Sequence, residues 1–127
     1  MDIRGGFFYT KEHEWVKIEG NKGTVGITEY ASTTLGDITF IEVAPAGTIV
    51  AQFGNLGTIE SVKAASDLFS PVSGKVVSVN EKVLASPETI NSSPYDDGWL
   101  VVIEMTNPDD VKNLMTEEQY KEYINNL

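Results

Sequence analysis

At 127 residues the chain is long enough to bury a continuous apolar core without metal or disulfide staples, and its 41% hydrophobic content is ordinary for a globular protein. Its 19 acidic residues against 9 basic ones give a formal charge of −10, a field that repels phosphate backbones and anionic lipid and so argues against nucleic-acid and membrane-surface partners. The lack of cysteine removes thiol nucleophiles, cysteine metal sites and disulfides, and no apolar run approaches the ~20 residues of a membrane helix.

In chain order, Trp15–Glu19 and Thr24–Ile27 alternate in character around Gly20-Asn21-Lys22-Gly23, the pattern of a hairpin whose turn residues supply positive φ. A short helix is expected next, with Thr28 as N-cap, Tyr30, Ala31, Thr34 and Leu35 facing inward, and Gly36 ending it in a left-handed conformation. Asp37 opens a strand over Ile38–Val43 that Pro45-Ala46-Gly47 stops, and Thr48-Ile49-Val50 resumes extended structure. Gly57–Ser61 and the alternating Lys75–Val79 read as strands, with a turn at Ser70–Gly74. After Asn80, the Ser86-Pro87 pair reads as N-cap and first residue of a brief helical turn.

Trp99–Met105 is too uniformly apolar for a one-sided surface strand, and a central strand covered on both faces is expected. Asn107-Pro108 starts helical sequence, and Thr116-Glu117-Glu118-Gln119 has capping-box spacing with Met115 and Tyr120 placed as a hydrophobic staple. Tyr120, Tyr123, Ile124 and Leu127 then mark one face of a terminal helix. Many short strands separated by turn signals predict a small β sandwich or barrel. The expected organisation is a single domain over 1–127, its core over about 7–106 and a helical segment over about 107–127.

Lys63 stands in the run Glu60-Ser61-Val62-Lys63-Ala64-Ala65-Ser66-Asp67, between two strand-like segments, where small neighbours leave its amine sterically open at a hairpin tip. That run, followed by Ser70-Pro71-Val72-Ser73-Gly74, closely resembles the lipoyl-attachment segment of the glycine cleavage system H-protein family. Upstream, Tyr9–Val16, Val25–Ala31 and Leu35–Ile38 resemble its opening segments; downstream, Val79-Asn80, Ile90–Tyr95 and Asp97–Leu100 resemble its closing ones. The resemblance covers about residues 7 to 127 and implies a mainly β, lipoyl/biotinyl-carrier-like flattened barrel-sandwich of two sheets related by a rough two-fold, with short helices and a C-terminal α-helix.

It further implies lipoic acid held as an amide on Lys63. The host then catalyses nothing and passes between three enzymes: a pyridoxal-phosphate glycine decarboxylase (P protein), a folate-dependent aminomethyltransferase (T protein) and the flavin enzyme dihydrolipoamide dehydrogenase (L protein). A lipoate-attaching enzyme is a fourth partner, with Glu60, Ser61, Val62 and Ala64 as its expected recognition residues, and Glu14 and Asp67 are implied to line the cleft that holds the loaded arm. A monomer is expected. Two departures stand out: Ala44 with Pro45 one place later, and Phe53 with Gly54 one place later, where the family commonly has Pro and Gly. A lipoyl donor or relay for other lipoate-dependent complexes needs the same lysine, and an unmodified β-sandwich interaction module needs none. Biotin carriage fits poorly, since biotin domains flank their lysine with Met and here Val62 and Ala64 do so.

Catalytic readings find little support. His13, within Glu-His-Glu-Trp, is the single histidine, so a Ser-His-Asp triad or a two-histidine zinc site would have to rest on it. Asp96-Asp97-Gly98 lacks the ligand alternation of a calcium loop, and no phosphate-binding glycine motif occurs. Asn91-Ser92-Ser93 fits a glycosylation sequon, but Met1–Gly6 shows neither an apolar signal core nor a transit-peptide pattern, so the expected compartment is cytoplasmic, or the mitochondrial matrix for a trimmed organellar form.

Overall fold

The computed structural model describes residues 1–127 as two antiparallel sheets joined by short turns and helices. The alternation about Gly20 folds as a hairpin of β2 (Glu14–Glu19) on β3 (Lys22–Ile27), with the two-residue β1 (Phe8–Tyr9) alongside. Its loop is tighter than expected: Glu19 pairs with Lys22, so only Gly20 and Asn21 leave the ladder, and of the turn residues only Gly20 has positive φ, 64°. Next comes α1 (Glu29–Leu35), where Thr28 Oγ1 accepts from the Ala31 N–H at 3.2 Å and Gly36 ends the helix with φ 81°, as read. Ala31 and Leu35 pack on the main core and Tyr30 on His13, so of the expected inward face only Thr34 departs. Ser32 is the buried residue, its hydroxyl donating to Glu29 O, while Thr34 is exposed and Tyr30, Ala31 and Leu35 are half-buried.

Further strands are β4 (Ile38–Val43), β5 (Ile49–Val50), β6 (Asn55–Ser61), β7 (Ala65–Phe69), β8 (Gly74–Val79) and β9 (Val101–Met105). The larger sheet runs β1-β2-β3-β9-β8-β5 and the smaller β4-β6-β7, an open two-sheet sandwich. Side-chain alternation brings Val16, Val25, Val76, Val101 and Ile103 of the larger sheet into one core with Ile38, Ile41, Ile59 and Leu68 of the smaller. β9 lies inside its sheet between β3 and β8, as expected, yet only one of its faces is fully covered: Val101 and Ile103 are buried, Val102 and Glu104 half-buried. Val102 instead lines a shallow outer groove with Trp15, Thr24 and Trp99, where a β-branched side chain serves cross-strand pairing more than burial. Trp99 and Leu100 precede the strand.

The sequence reading missed α2 (Glu81–Ala85), a five-residue helix too short to leave an apolar period and holding one buried residue, Val83. Ser86 is its C-cap, and the following α3 (Thr89–Ser92) begins two residues past Pro87, with no side-chain cap from Ser86. A 3-10 segment over Pro108–Asn113 leads to α4 (Glu117–Asn125), which carries the complete capping box between Thr116 and Gln119. Tyr120 is fully buried in a second cluster with Ile3, Tyr9, Trp15 and Tyr95, against which Met115, Tyr123 and Ile124 pack. Leu127 lies past the helix end and is 65% exposed, so it does not extend that face.

Candidate functional site

β6 and β7 pair antiparallel from Glu60↔Ala65 outward, which leaves Ser61 to Ala64 to make the turn and puts Lys63 at its tip. Neither Val62 nor Lys63 takes positive φ, so the usual glycine-dependent hairpin turn is not used. A hydroxyl takes its place: Ser61 Oγ accepts from the Lys63 N–H at 3.3 Å and from the Ala64 N–H at 3.1 Å, while the Ser61 N–H donates to Ala64 O at 2.8 Å. Ser61, expected as a recognition residue, is thus half-buried and engaged in shaping the turn. Glu60, Val62 and Ala64 are exposed beside the lysine, Val62 by 69%. Glu60 shares the outer face of the small sheet with its registered partners Phe40 and Ala65, both exposed. Lys63 is itself exposed and joins none of the ion pairs, which are Arg4 with Asp2 and Asp96, Lys17 with Glu19, Lys112 with Asp109 and Lys121 with Glu117.

Asp67 is exposed on β7, opposite Thr58, four residues from Lys63 or about 13 Å along a strand. Glu14, at the start of β2, is 1% exposed. Its carboxylate reaches the other sheet: Oε1 accepts from the Thr10 hydroxyl and Oε2 from the Phe69 N–H at 3.1 Å. The buried carboxylate thus ties the edge strand β7 to the larger sheet two residues beyond Asp67, and burial raises its pKa to about 7 against the pull of those hydrogen bonds. Glu14 and Asp67 therefore meet the same strand, one as an inner tie and the other as an outer charge. Beside Thr10 and Phe69 opens a cleft of about 450 Å³ lined also by Tyr9, Phe53, Asn113 and Met115.

Three residues have structural roles that their sequence context did not show. Phe53 holds φ 63°, a conformation rare for a side chain of that size, and its ring is 48% exposed at the cleft. The displaced glycine at Gly54 was the signal available for it. Asn91, read within the Ile90–Tyr95 segment and as a sequon but given no structural role, is half-buried and hydrogen-bonded to both Gly36 and Ile38. His13 belongs to the body of the fold: its Nδ1 lies 2.8 Å from the Tyr120 hydroxyl and its ring packs on Tyr30 at 4.6 Å.

The sequence matches the family described as Glycine cleavage H-protein over residues 7–127. It is 50% identical over 125 residues to a glycine cleavage system H protein of Coprothermobacter proteolyticus, covering 98% of each chain. A putative mitochondrial glycine cleavage system H protein of Schizosaccharomyces pombe is 47% identical over 115 residues, which is 91% of this chain and 68% of that one. Among solved structures, a glycine cleavage system H protein from Mycobacterium marinum superposes with a TM-score of 0.89 at 37% identity, covering 98% of this chain and all of the other. With a family match from Phe7 to the last residue and the same two-sheet fold, the chain belongs to the glycine cleavage H-protein family.

Proposed function

We propose that the chain is the lipoyl-bearing carrier of the glycine cleavage system, acylated on Lys63 and a catalyst of no step itself. The observation that carries this reading is an exposed, unpaired lysine at a hairpin tip, flanked by Val62 and Ala64 and shaped from beneath by Ser61. Such a tip offers its amine to an acylating enzyme with no neighbouring side chain in the way. Lys63 would hold the lipoyl group as an amide, and the group would supply a disulfide that can be reduced on accepting an aminomethyl group, left as a dithiol when the carbon passes to folate and ammonia is released, and reoxidised by a flavin dehydrogenase. The chain's residues present the group, accept docking by each partner in turn, and shelter the cationic cargo. Asp67 contributes an exposed negative charge on the strand that leads away from Lys63, and Glu14, poised near neutrality, becomes more fully ionised beside a bound ammonium.

Lys63→Arg tests the role directly. An exposed turn position shifts stability by no more than about 0.5 kcal/mol, whereas a guanidinium is not acylated, so glycine decarboxylation in the reconstituted system should vanish while thermal unfolding is unchanged. Full decarboxylation with the Arg variant would end the carrier reading. Cargo retention is tested separately: the loaded protein without its folate partner should release formaldehyde faster in Glu14→Gln, Asp67→Asn and the double variant, and a wild-type decay rate in all three removes these two residues from the sheltering role.

A further inference from the structure

The stretch Gly36-Asp37-Ile38, which leads from the end of α1 into the first residue of β4, forms the floor under the hairpin tip. The Val62 N–H donates to Asp37 O at 3.0 Å. The Lys63 side chain lies over Gly36, so that a β-carbon there would stand 3.3 Å from Lys63 Cε and 3.9 Å from Nζ. Gly36 also has φ 81° and ψ −155°, a region essentially confined to glycine. The backbone conformation therefore demands glycine, and a side chain there would also press the end of Lys63 aside by a few tenths of an ångström.

One side chain from a distant element fixes this floor. Asn91 of α3 donates Nδ2 to Gly36 O at 2.8 Å and accepts the Ile38 N–H on Oδ1 at 2.9 Å. Clamping residues 36 and 38 with one amide leaves Asp37 O aimed at Val62. An amide is the natural group for this, with a donor and an acceptor in one plane; a carboxylate supplies only acceptors. Asn91 is itself held in place by its neighbour Ile90, fully buried in the main core.

We propose that Asn91 is the positioning residue for Lys63: through Gly36, Asp37 and the Val62 N–H it sets where the tip sits on the protein body and from which direction the amine is offered for acylation. Ser61 shapes the turn; Asn91 places it. In the acylation, Nζ attacks the carbonyl carbon of an enzyme-held lipoyl adenylate, the amide bond forms, the bond to phosphate breaks with loss of AMP, and the amine proton passes to solvent. The inference rests on Lys63 as the modified residue, and its test has one arm that does not.

The unlipoylated chain is compared with Asn91→Ala, Asn91→Asp and, as a control, Asn80→Ala, which removes a buried amide donating to Asp97 O and Trp99 O and making no bond to the tip. Amide hydrogen exchange at Val62 is measured alongside the steady-state kinetics of lipoyl transfer by a lipoate-protein ligase with lipoate and ATP. In Asn91→Ala, the Val62 amide should exchange about tenfold faster while the Ser61 amide stays protected, and kcat for transfer should fall about tenfold with KM within about twofold. Asn91→Asp, which keeps an acceptor for Ile38 but sets a carboxylate oxygen against Gly36 O, should also speed Val62 exchange and lower kcat, and it carries the comparison if the alanine variant does not fold. Wild-type Val62 protection in the Asn91 variants overturns the proposal, as does an equal change in Asn80→Ala. A wild-type chain that accepts no lipoyl group defeats the carrier reading instead, with the exchange arm still deciding the clamp.

Discussion

Glu14 shows how one side chain can be visible in sequence and its chemistry not. The Glu-His-Glu-Trp run marks the position, but the Phe69 N–H that donates to its carboxylate lies 55 residues away, and the burial that raises its pKa to about 7 is a product of the whole sandwich. Between an unperturbed 4.5 and 7 the folded chain keeps a proton on Glu14 that the unfolded chain has lost. This contribution to stability is full below about pH 4.5 and is lost as pH rises toward 7, amounting to about 3 kcal/mol at most. Glu14→Gln keeps an acceptor for the Phe69 N–H, turns an amide donor toward Thr10 Oγ1 in place of the carboxylate that accepted its hydroxyl, and cannot titrate, so denaturant unfolding across that window should lose this downward slope. An unchanged slope in the variant contradicts the assignment. Lys63 was the reverse case: its openness was readable because small neighbours are local, whereas Asn91 looked like a stray sequon because its partners Gly36 and Ile38 are 55 and 53 residues away.

Elements were legible where their signals are local. The α4 capping box and the α1 N-cap both span three residues and both formed as read. The five-residue α2 carries no such signal, and Leu127 fits the apolar period yet falls beyond the last helical turn. Besides the aromatic cluster on which α4 packs, a hydrogen-bond relay of tertiary origin ties it to the start of α1 and to His13. The Ala31 N–H donates to Thr28 Oγ1, whose hydroxyl lies 2.7 Å from that of Tyr120, and the latter lies 2.8 Å from His13 Nδ1. With the imidazole proton on Nε2, each hydroxyl gives one proton and takes one; a proton on Nδ1 reverses the two hydroxyl bonds and leaves the Thr28 hydroxyl proton without an acceptor in the relay. Tyr120→Phe leaves two partners short of a bond and should cost about 1–3 kcal/mol, against about 1 kcal/mol for Thr116→Ala at the exposed cap, both read from urea unfolding. Burial lowers the His13 pKa below 6.5, so its contribution is present above pH 6.5 and is lost as pH falls through the folded value, opposite in sign to Glu14. Stability of Glu14→Gln should accordingly rise with pH as it approaches 6.5, and adding His13→Gln should flatten that rise.

At the scale of the molecule, local alternation identified most strands but not their neighbours. The pairing of Lys22 with Glu104 and of Ile49 with Lys75 joins segments far apart in the chain, and only the shared core selects those registers. The charge of −10 was readable at once, and acylation of Lys63 removes one positive charge, taking it to −11. A carrier so acidic is steered toward basic docking surfaces, an attraction that weakens as the Debye length shrinks from about 30 Å at 0.01 M salt to about 8 Å at 0.15 M. Across that range kcat/KM with the decarboxylase should fall several-fold at nearly constant kcat; a salt-independent kcat/KM contradicts electrostatic steering. The most direct measurement of the carrier reading is peptide mass spectrometry of the protein purified from its native host. The account predicts a lipoyl amide on Lys63, and an unmodified Lys63 in cells that lipoylate their other carriers, or the modification on Lys75, would contradict it.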